Sequence, residues 1–282
     1  MGPARSMLLG PASLDRYVQE GLVLPGGGAL NNAYHLSTAG VPVHLLTRVG
    51  DDLPGLFTDF LDRHGIGWSA GSIVAPGVTP SIDIVIGDDG EPWMDNFVEG
   101  VWRDLRLTAD EASAIADADH LHVVLVDPAG RELARLGEAG VLDRVVVSGD
   151  FLSFRRWDRA RFAATLRWLD LGVIGWPGAL DDATLDDIRE VTFALGTLVV
   201  VTLGSRGVLV LDGRAEPVER FVAVDAVEVL GTSVGCGDAF IAAFLAEWWR
   251  GADVDRAVAA GARAGARATA WPRPLPDSAY DA

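Results

Sequence analysis

From residue 107 to near the C-terminus, short apolar runs alternate with amphipathic stretches, and this alternation restricts the fold more than any other feature of the chain. His120 to Val126 is a near-continuous apolar run, and Arg144 to Ser148, Leu171 to Ile174 and Thr197 to Thr202 are shorter runs of the same kind. A strand apolar at consecutive positions must be covered on both faces, which is the condition of a strand inside a parallel sheet. The stretches 156–169, 182–195 and 253–269 have helical spacing and supply the cover. Thr108 and Glu111 form a capping box for a helix ahead of the first run, and Asp127-Pro128 opens the next in N-cap and first-turn order. Gly207 to Leu211 and Phe221 to Leu230, joined by turns, read as an antiparallel edge. The expected class is α/β, a mostly parallel central sheet with helices on both faces, whose ligands bind at the strand C-terminal ends.

The first hundred residues extend this plan and interrupt it. Met7 to Leu9 is an apolar strand, followed by Asp15. Gly26-Gly27-Gly28 leads into a helix that stops at Gly40, with Pro42 beyond. Val43 to Val49 reads as a strand, and Asp51 or Asp52 caps a helix whose face is Leu53, Leu56, Phe57, Phe60 and Leu61. Residues 68–106 change character. Ser81 to Gly87 alternates, Asp88-Asp89-Gly90 signals a turn, and the segment reads as a half-exposed antiparallel sheet carrying Trp93, Phe97 and Trp102.

The strongest chemical signal is late. Gly235-Cys236-Gly237-Asp238 runs into a stripe of Phe240, Ile241, Phe244, Leu245 and Trp248, so these glycines sit where a buried helix begins. Helix starts hold free N–H groups and the positive end of the dipole, and they bind anions. Asp238 is a good residue for a first turn but a poor neighbour for a phosphate. The two fit together if Asp238 takes the proton from a hydroxyl that attacks the bound phosphate.

Composition removes several classes. A net charge of −17 argues against nucleic acid and anionic membrane partners. The single cysteine, Cys236, allows no internal disulfide, which fits a reducing cytoplasm. No stretch approaches the length of a membrane span, and residues 1–6 hold no signal-peptide core. Both glycine turns lack the third glycine of the dinucleotide fingerprint, and there is no Walker-type loop. His120 and His122 share a strand face but have few other ligands to join, so they read as core histidines.

Asp15, Gly26-Gly27-Gly28-Ala29-Leu30-Asn31-Asn32-Ala33, Val49-Gly50-Asp51-Asp52 and Thr232 to Asp238 occur in the order and spacing of the PfkB, or ribokinase-like, carbohydrate kinases, and the chain resembles that family nearly end to end. The resemblance implies a single ribokinase-like domain with a small β-sheet lid built from segments near 14–24 and 68–106, the lid also offering a homodimer contact. It implies that Asp15, Gly26, Gly27 and Asn31 bind a small sugar. Gly235, Cys236 and Gly237 would form the anion hole, Asp238 would be the catalytic base, and Thr202, Gly204, Ser205 and Gly207 would line the nucleotide. ATP and Mg²⁺ are the implied cofactors. Two departures stand out. Thr232 replaces the aspartate that opens the late signature, which bears on the family's monovalent-cation site. Gly175 to Asp181 contains no Asn-x-x-Glu motif, which leaves the metal ligands unknown. The same loss, together with Phe97-Val98-Glu99-Gly100-Val101, Leu105-x-Leu107-Thr108 and Ser148-Gly149-Asp150-Phe151, resembles the fructoselysine 6-kinases. The resulting expectation is an ATP-dependent kinase for a primary hydroxyl of a small sugar, with a fructosamine favoured over a ketose, ribose or nucleoside. The rival is a non-catalytic sugar- or nucleotide-binding protein on the same fold.

Overall fold

The computed structural model describes residues 5–71, 73–87 and 90–281. The first part of the chain forms β1 (Ser6–Leu9), β2 (Ser13–Tyr17), β3 (Leu22–Gly26), α1 (Gly28–Thr38), β4 (Val43–Leu46), β5 (Val49–Gly50) and α2 (Pro54–Arg63). Short strands β6 (Gly67–Trp68) and β7 (Val74–Ala75) precede the hairpin β8 (Ser81–Ile86) and β9 (Pro92–Val98). The alternating part follows as α3 (Ala109–Ala116), β10 (His120–Val124), α4 (Asp127–Glu138), β11 (Val146–Asp150), α5 (Arg159–Leu166), β12 (Leu171–Gly175), α6 (Ala183–Leu195) and β13 (Leu198–Thr202). The chain ends with β14 (Val208–Asp212), β15 (Val218–Val222), α7 (Cys236–Trp248) and α8 (Val254–Ala268).

Nine strands make one sheet in the order β15-β14-β13-β12-β11-β10-β1-β4-β6. All its pairs are parallel except β13–β14 and β14–β15, so the antiparallel edge falls where the turns predicted it. The central strands are apolar at successive positions because both faces are covered. Leu8, Val173 and Val200 pack on one side with Phe240, Phe244 and Leu245 of α7, and Leu9, Val123, Val147 and Ile174 on the other with Leu133, Phe162 and Ile188. A separate four-stranded sheet, β3-β2-β8-β9, holds one strand pair from each end of the first hundred residues. Strand β2 pairs β8 in parallel, with Asp15 opposite Ile82.

Several expectations need correction. The run Val43 to Val49 is two strands. It breaks where the Thr47 hydroxyl accepts the Ala12 N–H (3.0 Å) and the Arg48 guanidinium turns inward to Glu111 (2.7 Å). Neither Asp51 nor Asp52 caps α2, whose N-cap is the exposed Leu53; their carboxylates instead accept backbone N–H groups of Gly77 and Thr79. Asp127 is the first residue of α4, not its cap. The last strand is 218–222, earlier than the 221–230 expected. Residues 68–106 are not one sheet: only β8 and β9 join the small sheet. Trp102 leaves it altogether and is 1% exposed in the main core beside Leu105 and Leu133. Of the turn Asp88-Asp89-Gly90, the two aspartates lie outside the described residues. His122 is buried with Nδ1 2.9 Å from the Ser148 hydroxyl, and His120 stacks on Trp249. Among the described residues no group of three or more His, Cys, Asp or Glu side chains is placed to hold a metal, and no helix is long and apolar enough to cross a membrane.

Candidate active site

Helix α7 starts immediately after Gly235, whose φ of +78° and close approach to Pro274 (an added Cβ would lie 2.5 Å from its Cα) leave room for no other residue. The turn places Asp238 in the first turn of α7, facing α1. Asn31 Nδ2 donates to Asp238 Oδ2 at 2.9 Å, and Asn32 Nδ2 donates to Oδ1 at 3.3 Å. One amide on each oxygen fixes the plane of the carboxylate. The Oδ1 atoms of Asn31 and Asn32 are buried and accept no hydrogen bond among the described residues. They are acceptors suited to donor groups of a ligand, such as hydroxyls.

Two more carboxylates come to the same place. Gly28 sits where an added Cβ would be 3.5 Å from Asp238 Oδ1 and 3.6 Å from Val124 Cγ1, so Asp238 stands over the C-terminal end of β10. The register partner of Val124 on β11 is Asp150, which is 4% exposed and accepts the Leu152 N–H at 2.8 Å. Asp15 enters from β2, is 5% exposed, and accepts the Ser13 hydroxyl at 2.8 Å. Gly26 lies against it so closely that a Cβ would fall 2.1 Å from Oδ2. Burial pushes the Asp238 pKa up to about 7. The Asn31 amide opposes the rise, and the charges of Asp150 and Asp15 add to it. Burial raises Asp15 to about 7 and Asp150 to about 6, against the hydrogen bonds each accepts. The chain contains no lysine, so its fixed positive charge is arginine alone. Arg206, in the turn that follows β13, spends its guanidinium on the carbonyls of Trp176, Gly178 and Leu203. The site is acidic, lacks a protein cation of its own among these groups, and suits ligands that bring hydroxyls or positive charge.

The nucleotide-side residues expected from the sequence form a separate turn at the end of β13. The Thr202 hydroxyl donates to Ile174 O (3.3 Å), Gly204 and Gly207 have φ of +63° and +127°, and Ser205 lies between them. Arg206 ties this turn to residues 176–178, where Asn-x-x-Glu is missing and the Trp176 indole closes a turn on Ala179 O (3.0 Å). In the glycine loop, the amides of Gly235 and Gly237 meet no acceptor among the described residues, whereas the Cys236 N–H reaches back to Ser233 O (3.3 Å). Cys236 is therefore a weaker anion donor than its neighbours. Asn32 and Asp150 are absent from the sequence-derived set of site residues. Asn32 differs from Asn31 only by one position in the same turn, and Asp150 ends an apolar strand; in each case the signal was a polar residue where cover is expected. A groove of about 830 Å³ between β4, β6 and α3 contains none of these groups.

Comparison with known proteins bears on the family and the fold. Residues 175–270 match the pfkB family carbohydrate kinases. The chain is 30% identical over 281 residues to an ATP-dependent ribose-1-phosphate kinase of Halopiger xanaduensis, covering 95% of this chain and 88% of that one. The chain belongs to the pfkB family of carbohydrate kinases. Within this kinase family it is also 29% identical over 265 residues to the fructoselysine 6-kinase of Escherichia coli K12, covering 92% and 95% of the two chains. Its fold is that of the Arabidopsis thaliana ribokinase solved with ribose and ATP, at a TM-score of 0.77, 19% identity and coverage of 98% and 96%. As a pfkB kinase it is a sugar or nucleoside phosphotransferase of an ATP-using family, on a ribokinase-like fold.

Proposed function

We propose that this kinase transfers the γ-phosphoryl group of ATP to the 6-hydroxyl of a fructosamine such as fructoselysine, with Asp238 as the base. The observation that carries the catalytic half is the placement of Asp238: a carboxylate with a pKa near 7, oriented by two amides, in the first turn of a glycine-started helix. It takes the hydroxyl proton as the O6–P bond forms and the bond to the leaving ADP breaks. Gly235 and Gly237 offer their N–H groups to the transferred phosphate, and the residues Thr202 to Gly207 line the nucleotide. The same arrangement speaks against a non-catalytic binding protein, which has no use for a base beside a phosphate loop.

The substrate half rests on charge and on likeness. Asp15 and the two free amide oxygens ask for hydroxyl donors, and the three carboxylates favour a ligand that carries a cation. A fructosamine brings both. A sugar phosphate would carry a dianion into an acidic pocket, so ribose 1-phosphate fits less well. The likeness to fructoselysine 6-kinase over nearly the whole chain points the same way. The small sheet, which carries Asp15, is the lid that excludes water so that the sugar and not water is phosphorylated.

Mg²⁺ is the cation such a reaction uses to neutralise the phosphates. The oxygens of Asp150 would fit it, being hard donors without an ion-pair partner among the described residues. No dedicated cage of three ligands accompanies them among those residues, so the ion would arrive with ATP. The deciding experiment measures kcat/KM for fructoselysine, fructose, ribose, ribose 1-phosphate and cytidine. The expected result is a preference for fructoselysine of at least about tenfold, roughly 1.4 kcal/mol in transition-state binding. Preference for any of the others overturns the substrate, and no turnover with any of them overturns the whole reading.

A further inference from the structure

The turn of the β8–β9 hairpin is fastened to the loop that precedes the anion hole. Thr232, 0% exposed, donates its hydroxyl to Gly90 O at 2.9 Å and accepts the Val234 N–H at 3.2 Å. The next residue repeats the contact: Ser233 N–H donates to the same Gly90 carbonyl at 3.1 Å, and its hydroxyl donates to Glu91 Oε2 at 3.0 Å. The approach is close enough to demand glycine. Gly90 has a φ of +77°, and a Cβ there would lie 2.9 Å from Gly231 O and 3.0 Å from Val229 Cγ1. The loop is also tied by backbone bonds from Gly231 to Thr269 O (2.8 Å) and from Thr232 to Trp271 O (2.9 Å). Threonine suits the place chemically. It donates to a carbonyl, whereas an aspartate there would set a negative oxygen against Gly90 O.

The hairpin belongs to the same small sheet that carries Asp15. Strand β2 pairs β8, β8 turns at Gly90, and Gly90 holds the loop that runs through Gly235 to Asp238. A ligand on Asp15 and a phosphate on the glycine loop thus act on two ends of one hydrogen-bonded unit.

We propose that the hairpin completes the phosphate site: Thr232 and Gly90 are positioning residues that hold the glycine loop in register for the γ-phosphate, so that the lid and the nucleotide stabilise one another. This rests on the kinase reading above. Two ligands that favour the same closed arrangement raise each other's affinity by equal factors. The γ-phosphate is the part of the nucleotide that reaches this loop. Loss of the clasp should therefore be felt by a triphosphate and not by ADP.

The test compares Mg-ADP with the Mg complex of the β,γ-imido analogue of ATP, by calorimetry, in the wild type, Thr232→Val, Thr232→Ser and Gly90→Ala. Thr232→Val and Gly90→Ala should weaken the analogue at least about tenfold while ADP weakens less than about twofold, and Thr232→Ser should restore the analogue. The analogue should slow hydrogen exchange in 81–86 and 92–98 of the wild type and not of Thr232→Val. Equal weakening of both nucleotides, or of neither, overturns the proposal and leaves the kinase reading standing. A wild type that binds neither nucleotide overturns the kinase reading, and the proposal with it. Gly90→Ala approaches the same contact from the lid side, so a Thr232→Val protein that fails to fold leaves the question open to decision.

Discussion

Replacing Asp238 with asparagine should give a protein that is nearly inactive and yet more stable above neutral pH. Burial pushes the folded carboxylate up from an ordinary 3.8 to about 7. At 1.36 kcal/mol per unit, the folded state carries a cost of roughly 4 kcal/mol once the group is ionised. The sign follows from the direction of the shift. The folded state holds its proton more tightly, so the cost is absent below the unfolded value near 3.8, grows between 3.8 and about 7, and is complete above 7. The variant removes that cost but exchanges charge-assisted hydrogen bonds from Asn31 and Asn32 for neutral ones, a loss of roughly 1–2 kcal/mol. Part of the carboxylate faces the open site, which trims the gain further. A net of about 2 kcal/mol at pH 8 remains, or a rise in Tm of roughly 4 °C for a chain of this size. The new NH₂ group can be met by rotation of the Asn31 amide, whose Oδ1 has no other partner among the described residues, while the Asn32 amide stays held by its bond to Gly28 O (2.8 Å). Turnover should fall at least about a hundredfold, the scale of a lost general base. Calorimetric scans at pH 8 and at pH 4.5, beside a coupled assay for ADP release, measure both halves. A variant with near-normal turnover removes Asp238 from the base role. A variant no more stable than wild type at pH 8, or with the same difference at pH 4.5, refutes the electrostatic argument.

Gly26→Ala would drive a methyl group into Asp15 Oδ2, so KM for the sugar should rise at least about tenfold with nucleotide affinity unchanged; an unaltered KM would show that Asp15 does not hold the substrate. With Asp238 and Asp15 both titrating near 7, log kcat/KM should fall below pH 7 with a slope between one and two, and a profile flat down to pH 5.5 contradicts a base of raised pKa. Strand β9 is a sheet edge with Trp93 70% exposed and Phe97 49% exposed, a surface suited to pairing with a second copy. Trp93→Asp should convert a dimer to a monomer in sedimentation velocity, and a wild type that sediments as a monomer at every concentration dismisses the contact.

What the sequence determined by itself is what depends on neighbours along the chain. Runs such as His120 to Val124 and Leu198 to Val201 are apolar at consecutive positions, and such runs between helical stretches admit little besides a covered parallel sheet. The start of α7 was legible for the same reason, since Gly235, Asp238 and the Phe240–Phe244 stripe state a turn, a first-turn acid and a buried face within ten residues. Local rules failed where a distant partner competed for the same group. Asp52 is a good cap by type, but the Thr79 N–H, 27 positions away, takes its carboxylate. Trp102 looks like part of the lid, yet the core beneath the main sheet offers it full burial. Two features of the site exist only in three dimensions. Asp150 is the last residue of an ordinary strand until β10 and α7 bring it beside Asp238 and its burial costs energy. Thr232 and Gly90 stand 142 positions apart; a turn accounts for glycine at 90, but the contact between the two exists only once the fold presses the hairpin turn against the glycine loop. Chain-local energies chose the elements and marked the base; the desolvation and close contacts that set its pKa and its surroundings come from packing alone.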